Sequence, residues 1–318
     1  MSMQHRFSFL HLASVIVIGL ALITIFGCVT ALKNGNTFTY DGVESGSIMT
    51  QDYCQFPETS VWVTVDRQGE CIRYFHAGLK DNNPVVHVWF HGDRLRTVGK
   101  LTDRNVKVIS YNDNSPEQLQ QSVNLEYNES KIPFIRLSRP GTYGSSGEHK
   151  NRRLPKEIQI INAALNEIKS QYQIGAFILS GQSGGGHVVG SLLSLRNDIA
   201  CAVITSGLVS IRKRNIIKEW RTDATGYTGY YDPVEHVDQI IQNNNRPIFI
   251  VGDPNDGNVP FSTQEYFYNE LIKYGHQAWL IKSDAPDNHS LSTVGFKVVQ
   301  MWFKGIPPNQ IVSSLSDY

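Results

Sequence analysis

Residues 176–190 read Ala176-Phe177-Ile178-Leu179-Ser180-Gly181-Gln182-Ser183-Gly184-Gly185-Gly186-His187-Val188-Val189-Gly190. An apolar run ends on a serine set among glycines, and a helical pattern opens directly after it. The spacing Gly181-x-Ser183-x-Gly185 fits a sharp strand-to-helix turn in which strained backbone pushes the central hydroxyl outward. The positions two before and two after the serine must then lack side chains, because a Cβ there would collide with neighbouring backbone. This spacing occurs once in the chain.

Working outward, Ser60 to Phe75 reads as two strands around a turn at Asp66 to Gly69, and Pro84 to Gly92 as a third, almost continuously apolar strand. Such runs belong in a sheet covered on both faces. A helix is expected from Pro116 to about Tyr127, then a strand within 132–141. The next helix opens at Pro155, with Ile158, Ile161, Leu165, Ile168 and Tyr172 at 3-4-3-4 spacing. After the quoted strand and a helix over about 184–195, strands follow within 200–207, 246–253 and 277–284. Helices near 263–274 and 291–303 complete the series. This alternation predicts an α/β fold: a mostly parallel, doubly wound sheet.

The 318 residues, 41% apolar, suffice for one large domain. Lys plus Arg (29) equal Asp plus Glu (29), which removes the basic excess of a nucleic-acid binder, and no nucleic-acid partner is expected. Residues 1–31 carry Arg6, an apolar stretch from Leu12 to Phe26, then small residues, the layout of an export signal. The expected location is therefore the cell envelope or the exterior. Three readings stay open: lipidation of Cys28 in the box Ile25-Phe26-Gly27-Cys28, as in a bacterial lipoprotein; cleavage after Ala31; or an uncleaved membrane anchor, near the ~20 residues a span needs. Any membrane association would run through this segment. Residues 32–50, polar and rich in Gly and Ser, read as a linker, and 51–318 as the folded domain. Cys54 and Cys71 flank the first hairpin, either bridged in an oxidising compartment or as two unpaired strand cysteines.

An insertion at about 208–245 breaks the rhythm and is expected to form a helical cap, either a wall of the pocket or a helical pair without substrate contact. Its basic stretch, Ile211 to Arg221, either meets an anionic substrate or lipid headgroup or is a solvated helix face.

A serine hydroxyl is a poor nucleophile near neutral pH; it needs a base, and the base needs an acceptor that fixes its tautomer. On a strand-turn-helix of this kind the partners follow in the order acid, then histidine. Asp256 lies beyond the end of the strand Ile248 to Val251, where a side chain can reach across the sheet. Asp253, the competitor, sits in the turn that ends that strand and has capping to do. His289 lies in the loop after the last strand. His87, His187 and His236 are assigned to packing or surface. Oxyanion donors are expected at the backbone N–H of Gly184 and, from the turn His91-Gly92-Asp93, that of Asp93, unless this is a plain tight turn.

From Val61 to Phe303 the chain resembles the α/β-hydrolases, most closely in 231–240, 246–271 and 287–296, which are similar to the prolyl oligopeptidase and dienelactone hydrolase branches. The resemblance places a serine hydrolase triad on Ser183, Asp256 and His289. It implies an acyl-enzyme route on a small ester or short peptide, with neither metal nor cofactor. The large peptidases of that branch carry a β-propeller before the hydrolase domain, for which these 318 residues leave no room; Gly184 stands where they often carry an aromatic, and the two acidic residues that grip a free amino terminus have no visible counterpart. An esterase is expected ahead of a peptidase. An envelope-anchored protein that has kept the fold but lost activity is the reading from another class. Arg139, in the loop 138–147, lines the entrance or pins glycine-rich backbone. Nothing here specifies an oligomeric state.

Overall fold

The computed structural model describes residues 36–54, 59–98, 105–108, 111 and 115–316. The segment read as an export signal, with Cys28, lies outside them. No helix among the described residues is long and apolar enough to cross a membrane.

The hairpin of β1 (Ser60–Val65) and β2 (Gln68–Ala77) turns at Asp66 and Arg67, both at positive φ, as a two-residue turn of matching twist requires. Then come β3 (Asn83–Phe90), a small hairpin of β4 (Leu95–Val98) and β5 (Asn105–Val108), α2 (Pro116–Ser130) and β6 (Phe134–Leu137). Next are α3 (Pro155–Gln171), β7 (Ile174–Gln182), α4 (Gly184–Leu192) and β8 (Ile199–Thr205). The series ends with α5 (Ile211–Ile217), β9 (Ile248–Gly252), α6 (Phe261–Lys273), β10 (Ala278–Lys282), α7 (Ser292–Phe303) and α8 (Pro308–Leu315). A short helix, α1 (Tyr40–Ser45), precedes them all.

Eight strands form one sheet in the order β1-β2-β6-β3-β7-β8-β9-β10. β2 is antiparallel to both neighbours, and every pair from β6 to β10 is parallel. Successive residues point to opposite faces, which explains the unbroken apolar runs. Phe177, Leu179, Ala202, Ile204, Ile248 and Ile250 pack with Ile161 and Leu165 of α3, Val188 of α4 and Phe267 of α6. Ile178, Val203, Phe249 and Val251 pack on the other face with Val298 and Val299 of α7 and Ile311 of α8. Because the strands are parallel, the turns after β3, β7, β9 and β10 emerge at one edge, where ligands bind in open α/β sheets.

Three expectations need correction. Residues 36–47 are not a tether: Val43 is fully buried, Gly144 N–H donates to Thr37 Oγ1 at 2.8 Å, and Ser47 and Gly147 exchange backbone bonds at 2.9 and 2.7 Å. The polar composition of that stretch hides one buried valine and a set of side-chain acceptors. The insertion is less helical than a cap of paired helices: it holds α5, a 3-10 turn at Pro233–Gln239 and irregular chain. Outside the insertion the elements from α2 onward match, and α8 adds a helix beyond the expected last one at 291–303. Cys54 and Cys71 are bridged, with Cα atoms 5.6 Å apart, tying the segment before β1 to β2.

Candidate active site

Ser183 stands between β7 and α4 with φ 56° and ψ −115°, a conformation that a non-glycine residue holds only where its surroundings enforce it. Its N–H donates to Thr205 O at 2.8 Å, and its carbonyl accepts from His187 N–H at 3.1 Å. A Cβ on Gly181 would strike the carbonyl oxygen of Gly185, and one on Gly185 would strike that of Phe90. The two glycines are therefore required by backbone approach, at the positions that the turn geometry dictates.

Asp256, 5% exposed, accepts on Oδ1 from the N–H groups of Asn258 and Val259, both at 2.8 Å, and its Oδ2 meets His289 Nδ1 at 2.7 Å. Asp253 turns elsewhere: it accepts from Asn255 N–H and Ala285 N–H, each at 2.7 Å. The imidazole's other nitrogen, Nε2, faces Asn258 Nδ2 at 3.3 Å. Arg214 Nη2 donates to Asn258 Oδ1 at 2.8 Å, so the amide nitrogen is the end turned to the ring. The amide N–H therefore points at Nε2 as an acceptor, and the proton sits on Nδ1 against Asp256. That tautomer suits a base. No hydrogen bond joins Ser183 Oγ to His289 among the described residues; both line one cavity of about 860 Å³. Such bonds commonly close only around substrate.

Sequence reasoning missed Gln182, the middle residue between Gly181 and Ser183. Its Nε2 donates to His289 O at 2.7 Å, and its Oε1 accepts from Leu291 N–H at 3.0 Å and Thr205 Oγ1 at 2.8 Å. Ser206 Oγ adds a second donor to His289 O at 2.6 Å. The loop carrying the histidine is thus clamped to the strand carrying the serine. A glutamine at an unconstrained motif position gives no signal in sequence.

The turn after β3 packs on the elbow: a Cβ on Gly92 would lie 3.4 Å from Ser183 Cβ. Gly184 N–H is the first of its helix and has no intrahelical acceptor. Asp93 N–H finds no acceptor among the described residues. The Asp93 side chain, for which nothing was expected, is held by three arginines: Arg139 at 2.9 Å, Arg152 at 3.1 Å, and Arg153. Burial would raise its pKa, but Arg153, Arg152 and Arg139 together hold it well below the usual carboxylate range. Arg153 also pairs with Asp223, and Arg139 with Glu157 at 2.8 Å. Arg139 is fully buried in this network, so of its two readings the geometry fits the structural one.

His87 Nε2 meets Ser180 Oγ at 2.6 Å in the core, His187 donates to Tyr231 O at 2.7 Å, and His236 stacks on Tyr231. Burial pushes His87 down to about 3 and His187 to about 4, so both are neutral packing residues. From the insertion, Arg214, Lys218 and Trp220 line the cavity with Ser183. The described residues contain no group of three His, Cys, Asp or Glu side chains placed to hold a metal ion.

No protein-family model matches the chain, and no curated sequence matches it either. Solved structures do. The esterase Pf2001 of Pyrococcus furiosus shares 16% identity at a TM-score of 0.55, covering 82% of this chain and 96% of that one. Est1E of Butyrivibrio proteoclasticus shares 15% at 0.51, covering 78% and 98%. The acylaminoacyl peptidase of Pyrococcus horikoshii shares 16% at 0.53, covering 78% of this chain but 40% of that one, so this chain spans about two fifths of the peptidase. The chain has the α/β-hydrolase fold.

Proposed function

We propose that the protein is a serine hydrolase acting on carboxylic esters. What supports the reading above all is the convergence at one sheet edge of a strained, glycine-flanked Ser183 and a His289 whose Nδ1 is held at 2.7 Å by a buried aspartate. In this reading Ser183 Oγ attacks the ester carbonyl, and His289 Nε2 takes its proton and passes it to the departing alcohol. Water, activated by the same nitrogen, then releases the acid and restores the serine. Asp256 fixes the ring and stabilises the imidazolium. The N–H groups of Gly184 and Asp93 receive the negative oxygen, each worth about 3 kcal/mol in the transition state. We assign the chain to the exported fraction, with lipidation at Cys28, cleavage after Ala31 and a retained anchor separable by fractionating Cys28→Ala against the native protein.

The likeness to acylaminoacyl peptidase favours a second reading, an amidase or peptidase of that type. Rates on a matched aryl butanoate and aryl butananilide decide between them. Ester turnover far above amide turnover, and lowered about a million-fold in kcat by Ser183→Ala, is the expected result. Comparable rates on the two would favour the peptidase. No turnover of either by the wild type would leave a protein that has kept the fold and lost the chemistry.

A further inference from the structure

The cavity holding Ser183 and His289 has an unequal charge lining: Arg94, Arg152, Arg153, Arg214 and Lys218 against Asp93 and Asp287. Asp93 is consumed by Arg139, Arg152 and Arg153, and Asp223 behind the wall takes Arg153. Three cations are left incompletely matched. Arg214 is 4% exposed; its Nη1 is shut off from solvent, makes no hydrogen bond and faces the buried Asp223 Oδ1, likewise unbonded, at 3.9 Å. Its other guanidinium nitrogens hold Asn258 O and Oδ1 at 2.8 Å, and its Cζ lies 4.7 Å from the Trp220 ring centroid, so the group is oriented and brings its charge to the cavity wall. Lys218 Nζ donates to the carbonyl of Gly257. Arg94 lies over the Tyr143 ring at 5.5 Å with its Nε unpartnered. Among the described residues neither Lys218 nor Arg94 has a carboxylate partner. The one acid on the rim, Asp287, is engaged with Ser290 and the His289 N–H.

An ammonium without a carboxylate partner, beside a buried guanidinium, favours a carboxylate or phosphate group through charge and a charge-assisted hydrogen bond.

We propose that the substrate is an anionic ester, bearing a carboxylate or a phosphate-type group that Lys218 seats in the field of Arg214, with Arg94 adding to the positive lining of the same cavity. The inference deepens the esterase reading and rests on it. Through Asn258, which Arg214 grips and which faces His289 Nε2, the anion site is linked to the base. An anion beside Lys218 therefore lies in the field of the residue that orients the amide against the ring.

The test uses the full chain and two matched pairs of aryl esters, each rate divided by its hydroxide background. On the acyl side, a 4-nitrophenyl ester of hydrogen adipate is compared with that of methyl adipate. On the alcohol side, the butanoate of 4-hydroxybenzoate is compared with that of methyl 4-hydroxybenzoate. In one pair kcat/KM should favour the anionic member by tenfold or more, chiefly through KM, and the preference should shrink as salt rises. It should fall to threefold or less in Lys218→Gln and in Arg214→Gln; Lys218 is the half-exposed position, where folding is not at stake. A third arm offers anionic phospholipid vesicles with short acyl chains: preference for these over the soluble anion would assign the anion to a lipid headgroup. Equal or better turnover of the neutral members, or a preference untouched by both substitutions, overturns the proposal while leaving the esterase intact. Absence of turnover together with absence of fluorophosphonate labelling removes the esterase reading itself.

Discussion

Gln182 shows how much of this site depends on a residue without chemistry of its own. Its amide holds the carbonyl of His289 and the N–H of Leu291. With Gln182→Ala the loop should lose its register to the serine, and a displacement of about an ångström costs on the order of a hundredfold in rate. Expected is a fall in kcat of about 10- to 100-fold, with KM little altered and Ser183 still labelled by a fluorophosphonate. Steady-state kinetics well below the variant's unfolding temperature would check this; unchanged kcat would show that the clamp is idle. Ser183, Asp256 and His289 were legible as candidates because each follows an apolar strand in a fixed order. Gln182 and Asn258 could not, since their roles consist only of whom they touch. The Asp93 carboxylate was hidden for a related reason: its arginine partners, Arg139, Arg152 and Arg153, lie between 46 and 60 residues away along the chain.

At the level of elements, the β1–β2 hairpin is fixed twice, by the Cys54–Cys71 bridge and by the loop 142–147, whose Ser146 Oγ and Ser145 Oγ accept from the N–H groups of Cys71 at 2.8 Å and Arg73 at 3.0 Å. Closing a loop of 17 residues restricts the unfolded chain by about 3 kcal/mol. The double change Cys54→Ala/Cys71→Ala should lower stability by about that amount in urea, and reductant should do the same to the wild type. Esterase rates should hold, because β1 is at the sheet edge, separated from β7 by β2, β6 and β3. A larger loss of activity than of stability would mean that the hairpin reaches the site. The strand runs were legible because burial on both faces leaves no polar interruption. The insertion was not, because Arg214, Lys218 and Trp220 are drawn into the cavity while Arg212 pairs with Glu235 in solvent, a division that no helical periodicity announces.

Across the whole molecule, the buried network of Asp93, Asp223, Glu157 and their arginines joins the turn after β3, the start of α3 and the insertion. Burial would raise the Asp223 carboxyl, but Arg153 beside it, with the Thr225 N–H, brings it down to about 2. Since the folded form binds that proton less readily than the unfolded chain, its stabilising contribution is complete above the unfolded value near 4. It is lost as pH falls toward 2, an effect of about 2 kcal/mol. Asp223→Asn should cost about 3 kcal/mol at neutral pH by removing one of the two carboxylates that pair with the buried Arg153, and it should flatten the stability profile between pH 4 and 2. Urea titrations across that range would check both, and a profile identical to the wild type would contradict the network's role. The overall sheet followed from the β/α alternation, whereas the network was invisible because charged residues read as surface until a fold buries them. What the account claims at its centre is that Ser183 is the nucleophile, and the most direct measurement is mass spectrometry of the protein after reaction with a fluorophosphonate. The predicted result is one adduct per chain, located on Ser183, absent in Ser183→Ala and formed far more slowly in His289→Ala. An adduct on another residue, or one that persists in Ser183→Ala, would contradict it.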